Sequence, residues 1–285
     1  MNTQYNLLQI LTLGIIIILP KPVICEIKQH PVFDAHIHYS HDVWDAITPQ
    51  DAIRRLRAAG ISRALVSSSS DEGTRKLYQA APDFVIPELR PYRKRGTTDN
   101  WMYDQSIIPY LKQRLSSFRY VAIGEFHLQS KQAELPVVRK LIKLARKHRL
   151  MLHVHSDVEA IKLIFEQDPN AHILWAHAGF EDASTVIEML DQHKNLWADL
   201  SFRWDIYTNN RFLYGWKTLL LAHPDRFMLG IDTYAPQRWL EIQSTMNWQR
   251  SLLKALPGKV AQAIAYENGD RVIYERFMKL KIKSD

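Results

Sequence analysis

Eight times between residues 32 and 232 the chain passes through an apolar, β-branched run, and this alternation restricts the fold more than any other feature. The runs occupy 32–38, 61–68, 84–92, 120–128, 150–156, 172–179, 196–202 and 226–232. Amphipathic stretches with apolar residues three and four apart lie between them, as at 49–60, 137–149, 158–168 and 183–193. Asp157 and Asp182 stand where helix N-caps belong, and Gly60 stands where a helix would end. Strands alternating with helices imply a parallel sheet, and eight such units suffice to close it. The expected fold is therefore α/β, a single-domain (β/α)8 TIM barrel, with an open doubly wound sheet as its rival. No low-complexity tract, Gly/Ser linker or internal repeat marks a second domain.

The beginning of the chain reads differently. Leu7 to Leu19 is an apolar run of 13 residues that ends at Pro20, short of the roughly 20 that a spanning helix needs. Val23 and Cys25 occupy the two positions a signal peptidase reads, so residues 1–25 are taken as a secretory signal peptide cut before Glu26. The expectation is export to a periplasmic location, and an uncleaved N-terminal membrane anchor is the alternative, because no Lys or Arg precedes the apolar run. No membrane-spanning segment remains in 26–285. The one cysteine, Cys25, would leave with the signal, and a core of this size needs no disulfide.

In a barrel of this kind, polar residues at the C-terminal ends of strands are the informative ones. His36 and His38 end the first strand, Glu125 and His127 the fourth, His153 and His155 the fifth, His177 the sixth and Asp232 the eighth. Unpaired polar groups are costly to bury, so imidazoles and carboxylates recurring on five strand ends call for a shared partner, and a divalent cation supplies it. Imidazole with carboxylate oxygen suits zinc, and also manganese, iron, cobalt or nickel. His36 and His38 share a face, which leaves Phe33 and Ile37 to pack outward.

Other residues bear on the substrate. Arg90 ends the third strand and Arg203 follows the seventh, two forks suited to a carboxylate or phosphate. Tyr234, with Trp204, Tyr207 and Trp239, is placed to wall an apolar pocket, and 94–105 is long enough for a lid. His30 and His41 read as surface groups, and His172, His193 and His223 as solvated positions at helix ends or turns. The formal charge of +7 is spread over many helices without a basic run interleaved with aromatics, which argues against nucleic acid as the partner.

Asp34-Ala-His36-Ile-His38, Gly124-Glu125, His155-Ser-Asp157, His177-Ala-Gly179 and Gly230-Ile-Asp232 together resemble the amidohydrolase superfamily of metal-dependent hydrolases, in its amidohydrolase-2 and TatD-like branch. The tail 266–277 is similar to the closing helix of the amidohydrolase-2 branch, where an Asn-rich turn precedes an apolar helix. The resemblance implies that 26–285 is a metal-dependent hydrolase domain. It assigns His36 and His38 to the more buried metal, and Asp232 to that metal and to the proton of the attacking water. It assigns His155 and His177 to a second metal or, with one metal, to the first metal or the substrate. Glu125 falls at the bridging carboxylate, which leans toward two ions, and His155 is preferred to His153 because Ser156-Asp157 follows it as in TatD-like members. Apart from the resemblance, His127, in the same relation to Glu125, reads as a group behind the ligands or in contact with the substrate, and Arg90, Arg203 and Tyr234 read as substrate contacts from their positions. The implied reaction is hydrolysis of an ester, lactone, amide or related bond in a small, anionic or cyclic substrate. A TatD-like phosphodiesterase or nuclease and a mononuclear amidohydrolase-2-type decarboxylase are the alternatives.

Overall fold

A computed structural model describes residues 31–94 and 96–282. The segment read as a signal peptide, 1–25, and His30 lie outside the described residues.

Eight parallel strands pair in sequential order. They are β1 (Val32–His38), β2 (Ile61–Ser67), β3 (Val85–Leu89), β4 (Ala122–Leu128), β5 (Met151–Ser156), β6 (Ile173–Trp175), β7 (Leu196–Asp199) and, beyond a small antiparallel hairpin of β8 (Tyr207–Thr208) and β9 (Arg211–Phe212), β10 (Phe227–Met228). A parallel bridge between Asp34 and Leu229 joins the last strand to the first, and the Ala35 N–H donates to Leu229 O at 2.8 Å. The chain is a TIM barrel.

Helices α1 (Pro49–Ala58), α2 (Glu72–Ala80), α3 (Ile107–Ser117), α4 (Pro136–His148), α5 (Val158–Gln167), α6 (Ala183–Gln192) and α7 (Trp216–Ala222) fill the crossovers, and α8 (Ile242–Lys254) follows β10. Their ends are set by local chemistry. Asp157 accepts from the Ala160 N–H and Asp182 from the Thr185 N–H, each satisfying a first-turn donor that has no partner inside its helix. Gly60 takes the left-handed φ of 86° that stops the chain after α1. Among the described residues no helix is long and apolar enough to cross a membrane.

Two apolar clusters divide the interior. The larger lies between strands and helices, where α4 buries Val137, Val138, Leu141, Ile142, Leu144 and Ala145. The smaller joins Phe33, Leu65, Ile86, Met151, Leu174, Trp197 and Met228, one residue from each of seven strands, with Val272, Ile273 and Phe277 of the C-terminal helix. It fills the end of the barrel where the strands begin.

Four expectations are corrected here. Phe33 points into this floor, because a register shift between Asp34 and Ile37 changes which face β1 presents; Ile37 packs outward as expected. The tail contains no turn before its helix. From α9 (Gly258–Gln262) the chain stays helical through π turns at Ala263–Glu267 and Asp270–Tyr274 into α10 (Glu275–Ile282). Buried Asn268 donates from within that helix to Pro224 O and Phe227 O, and a Cβ on Gly269 would meet the Phe33 ring at 2.3 Å. The eighth strand is laddered only at Phe227–Met228, since from Leu229 the chain turns to β1, where the Asp232 N–H donates to His36 O at 2.7 Å. His172, His193 and His223 are half-buried, the first two stacking on Trp197 and Phe165, whereas His41 is exposed as expected.

Candidate active site

The same inward-facing positions that are apolar at the floor turn polar above it. Glu88, His153 and Asp199 form one buried layer, with His36, His38, Glu125, His177 and Asp232 around and above it. Gly230 lets the last strand come this close, because a Cβ there would lie 2.8 Å from the His36 Cβ.

His36 and His38 meet at their Nε2 atoms, 3.1 Å apart. Their other nitrogens are committed. The His38 Nδ1 lies 2.9 Å from Ser67 O, a carbonyl that only accepts, and the His36 Nδ1 lies 3.2 Å from Asp199 Oδ2. In the neutral rings both Nε2 lone pairs therefore face one point. Asp232 Oδ1 stands 3.3 Å from His38 Nε2 and 3.6 Å from His36 Nε2, and Glu125 Oε2 stands 3.2 and 3.5 Å from the same atoms. Asp232 Oδ1 is buried and has no hydrogen-bond partner among the described residues. Of these four converging atoms only Glu125 Oε2 receives a donor from outside the cluster, Arg90, and the others repel one another unless protons or a cation lie between them, so the donor set fits a divalent ion. His36, His38 and Asp232 offer ligand atoms within 4.8 Å of one another, as do Glu125, His127 and His155.

The remaining groups refine this geometry. The His177 Nδ1 lies 2.9 Å from Ser201 O, which turns its Nε2 toward Glu125 Oε1 (3.8 Å) and Asp232 Oδ2 (3.9 Å). The His155 Nδ1 is 3.0 Å from Glu125 Oε1, and its ring stacks on His127, 4.2 Å between centroids. Arg90 holds Glu125 twice, through Nη2 to Oε2 (2.9 Å) and Nε to the main-chain oxygen (3.1 Å). Burial alone would raise the Glu125 and Asp232 carboxyls. His36 and the hydrogen bonds of His155 and His177 outweigh it at Glu125, which sits well below the usual range, and His36 and His38 bring Asp232 to about 2. Burial takes the His127 imidazole down to about 3, so it is neutral. His177 and Asp232 both adopt a left-handed backbone, each at φ 56°, a conformation that persists in such residues only where the surroundings hold it.

His153 lies apart from this set. Its Nδ1 is 3.2 Å from Glu88 Oε2 and its Nε2 3.3 Å from Asp199 Oδ2, so both nitrogens face carboxylates. Burial opposes its charge, but Glu88 and the hydrogen bonds raise its pKa to about 9. Both of its nitrogens are thus taken up by carboxylates below the pocket, whereas His155 reaches Glu125. Glu88 and Asp199 were not among the residues singled out from the sequence, although an acid at the end of Leu196-Trp-Ala-Asp199 is a detectable signal in so apolar a strand.

A pocket of about 430 Å³ opens above Glu125, His155, His177 and Asp232. Tyr92, Phe180, Phe202 and Tyr234 wall it, Arg90 and His127 reach it, and Gly96 and Thr98 of the long 94–105 connection border it. Arg203 does not. Its guanidinium is buried over the Trp216 ring and spends its donors on Asp205, His177 O and Glu181 O, so the two-fork reading of the substrate loses one of its forks. Trp204, Tyr207 and Trp239 do not line the pocket either: Trp204 packs on Trp248, and the other two are buried in the core.

A family model described as amidohydrolase matches residues 110–273, more than half of the chain. No curated protein sequence matches it. Among solved structures, the chain is similar to a 4-oxalomesaconate hydratase from Rhodopseudomonas palustris (TM-score 0.59, 14% identity, 89% of this chain and 98% of that one). It is also similar to a putative 2-pyrone-4,6-dicarboxylic acid hydrolase from Pseudomonas putida (TM-score 0.59, 14% identity, 86% and 98%). A zinc-bound amidohydrolase from Burkholderia multivorans aligns at a TM-score of 0.54 with 12% identity over 86% and 99%. At these identities the likeness is one of fold.

Proposed function

The chain belongs to the amidohydrolase family, and from that premise we propose that it is an enzyme hydrolysing an ester, lactone, amide or related bond in a small substrate with a divalent metal, zinc in the first instance. The observation that carries the reading is the convergence of His36 Nε2, His38 Nε2 and the unpartnered Asp232 Oδ1 on one buried point. In this proposal His36, His38 and Asp232 hold the ion, and Glu125, His155 and His177 complete its site or hold a second one. A bound divalent ion lowers the pKa of water to roughly 7 and polarises the oxygen of the scissile group.

The chain's residues do the rest. Asp232, ionised at neutral pH, accepts the proton of the attacking water and delivers it to the leaving group. Asp199 and Ser67 fix the rings of His36 and His38 so that Nε2 is the ligating atom. Tyr92, Phe180, Phe202 and Tyr234 exclude water from the organic part of the substrate, and His127 and Arg90 offer polar contacts at its edge. An apolar pocket with a single guanidinium does not favour the nuclease alternative.

A mononuclear lyase of the decarboxylase kind has one observation in its favour, which is that Arg90 already compensates the Glu125 charge that a bridge would need. Metal content per chain of protein purified without chelator separates the two readings. About two ions in the wild type falling to one in Glu125→Gln supports the binuclear hydrolase, and esters, lactones and amides are then screened. One ion in both places the lyase level with the hydrolase. No metal after reconstitution with zinc or manganese overturns both.

A further inference from the structure

At the opposite end of the barrel from the metal site lies a second cavity, of about 380 Å³. Arg149 at the end of α4, His172 just before β6, Trp197 in β7 and Arg271, Arg276 and Lys279 of the closing helix line it. The first three precede or open strands, which places the cavity at the floor, and it shares no lining residue with the catalytic pocket.

Its charge is unbalanced. No carboxylate lines it. Among the described residues Arg149, Arg271 and Arg276 form no ion pair, and the hydrogen bonds of the latter two go to neutral acceptors: Arg276 to Arg149 O (2.9 Å), Arg271 to Asp225 O (3.0 Å) and Asn268 Oδ1 (3.2 Å). Lys279 has, among the described residues, only the exposed Glu275 one turn earlier as an ion-pair partner. Burial draws the Arg276 guanidinium below its ordinary pKa, as expected of a charge without a counter-ion. The second observation concerns a neutral donor. Trp197, 8% exposed, has a buried indole N–H with no acceptor among the described residues. A buried unmade hydrogen bond is costly, and the residue that carries this one lines the cation-rich cavity.

We propose that this floor cavity binds a phosphate-type oxyanion, taken up by the three guanidinium groups, Lys279 and the Trp197 N–H. Guanidinium forks match the oxygens of a phosphate, and an anion supplies both the missing counter-charge and the acceptor the indole lacks. The cavity exceeds the size of one phosphate group, and the His172 and Trp197 rings, stacked at 17°, give an organic portion a flat surface to lie on. A phosphorylated small molecule and an anionic lipid headgroup share this chemistry.

The test is calorimetric titration of the full chain with inorganic pyrophosphate, together with co-sedimentation on phosphatidylglycerol and on phosphatidylcholine vesicles at physiological salt. The expected result is saturable binding of one anion per chain, at least tenfold weaker in Arg271→Gln/Lys279→Gln, whose side chains are exposed, and several-fold weaker in Trp197→Phe, which keeps the packing and removes the N–H. Asp232→Asn should bind pyrophosphate as the wild type does. Binding to phosphatidylglycerol but not to pyrophosphate, lost in the double variant, assigns the site to a headgroup. The proposal is overturned if neither probe binds, if the double variant binds equally well, or if Asp232→Asn abolishes binding, which would put the anion at the metal site. Since the two cavities share no residue, the metal reading can fail without touching this one.

Discussion

Along the axis of the barrel the same strands do opposite things. Their first inward residues, Phe33, Leu65, Ile86, Leu174, Trp197 and Met228 among them, make an apolar floor. Two to five residues further on, Glu88, His153, Asp199, His36, His38 and Glu125 are just as buried and all titratable. Burying a large apolar side chain stabilises by roughly 1.5–3 kcal/mol, whereas removing charged groups from water costs more than their mutual attraction reliably returns. The floor therefore helps carry the fold, together with the larger cluster between strands and helices, and the layer above it is tolerated for what it does. The difference teaches that stability and chemistry are segregated by height, so substitutions at the two levels should separate them.

The strongest way to break that comparison is Asp232→Asn. The amide keeps the shape but neither accepts the proton nor ligates an ion as an anion. Turnover of any substrate found should fall by about a thousandfold or more, about 4 kcal/mol at the barrier, while the metal-free protein melts only slightly lower, by the modest stability that the depressed pKa of Asp232 marks its charge as contributing. A melting temperature that drops steeply instead would show that the upper layer also carries the fold. The mirror experiment is Leu174→Ala in the floor. It should cost about 3 kcal/mol in denaturant unfolding, within the usual range for such cavities, and leave turnover per folded molecule within about twofold.

His153→Gln sharpens the boundary, since His153 packs edge-on against the His36 ring and links Glu88 to Asp199, which in turn orients His36. Metal affinity should fall by roughly 10–100-fold, the usual effect of removing such an outer partner. The metal-free chain gives an independent readout. With its folded pKa raised from 6.5 to about 9, His153 contributes stability that is fully present below pH 6.5 and lost as the pH rises through about 9. The stability gap between wild type and variant should close across that window; a gap that is flat with pH would make His153 a packing residue.

The floor and the upper layer differed in how far they could be read from the chain. The eight units and the residues at strand ends were legible because side chains alternate with period two and barrel sites collect where strands finish. His36, His38, Glu125, His155, His177 and Asp232 were brought together as that logic expects. Phe33 was misplaced because a register shift in β1 breaks the alternation, and bulges leave no mark in a single sequence. Asp199 and Glu88 are not among the proposed ligands and fix imidazoles instead, and a single sequence does not show which carboxylate faces which ring. Arg203 was misread for a different reason. A guanidinium near a strand end is visible in sequence, but its capture by Asp205 two residues later depends on how the loop turns.

The smallest effect comes from a residue at catalytic height that belongs to neither class. Asp157 stands two residues after His155 and caps α5, and its carboxylate also accepts from the Ser130 N–H and hydroxyl, tying the end of β4 to the end of β5. Burial opposes its ionisation, but the bonds from Ser130 and Ala160 prevail and hold its pKa below the usual value. A depressed carboxyl stabilises the fold above its unfolded pKa and loses that contribution as the pH falls through the folded one. Asp157→Ala should therefore cost about 1 kcal/mol at pH 7, the ordinary worth of an N-cap, and the difference should vanish in strongly acidic solution. Turnover should change little. If it falls more than tenfold while stability holds, the β4–β5 tie positions Glu125 and His155, and the division by height gives way to one in which the rim's scaffold and its chemistry are a single unit.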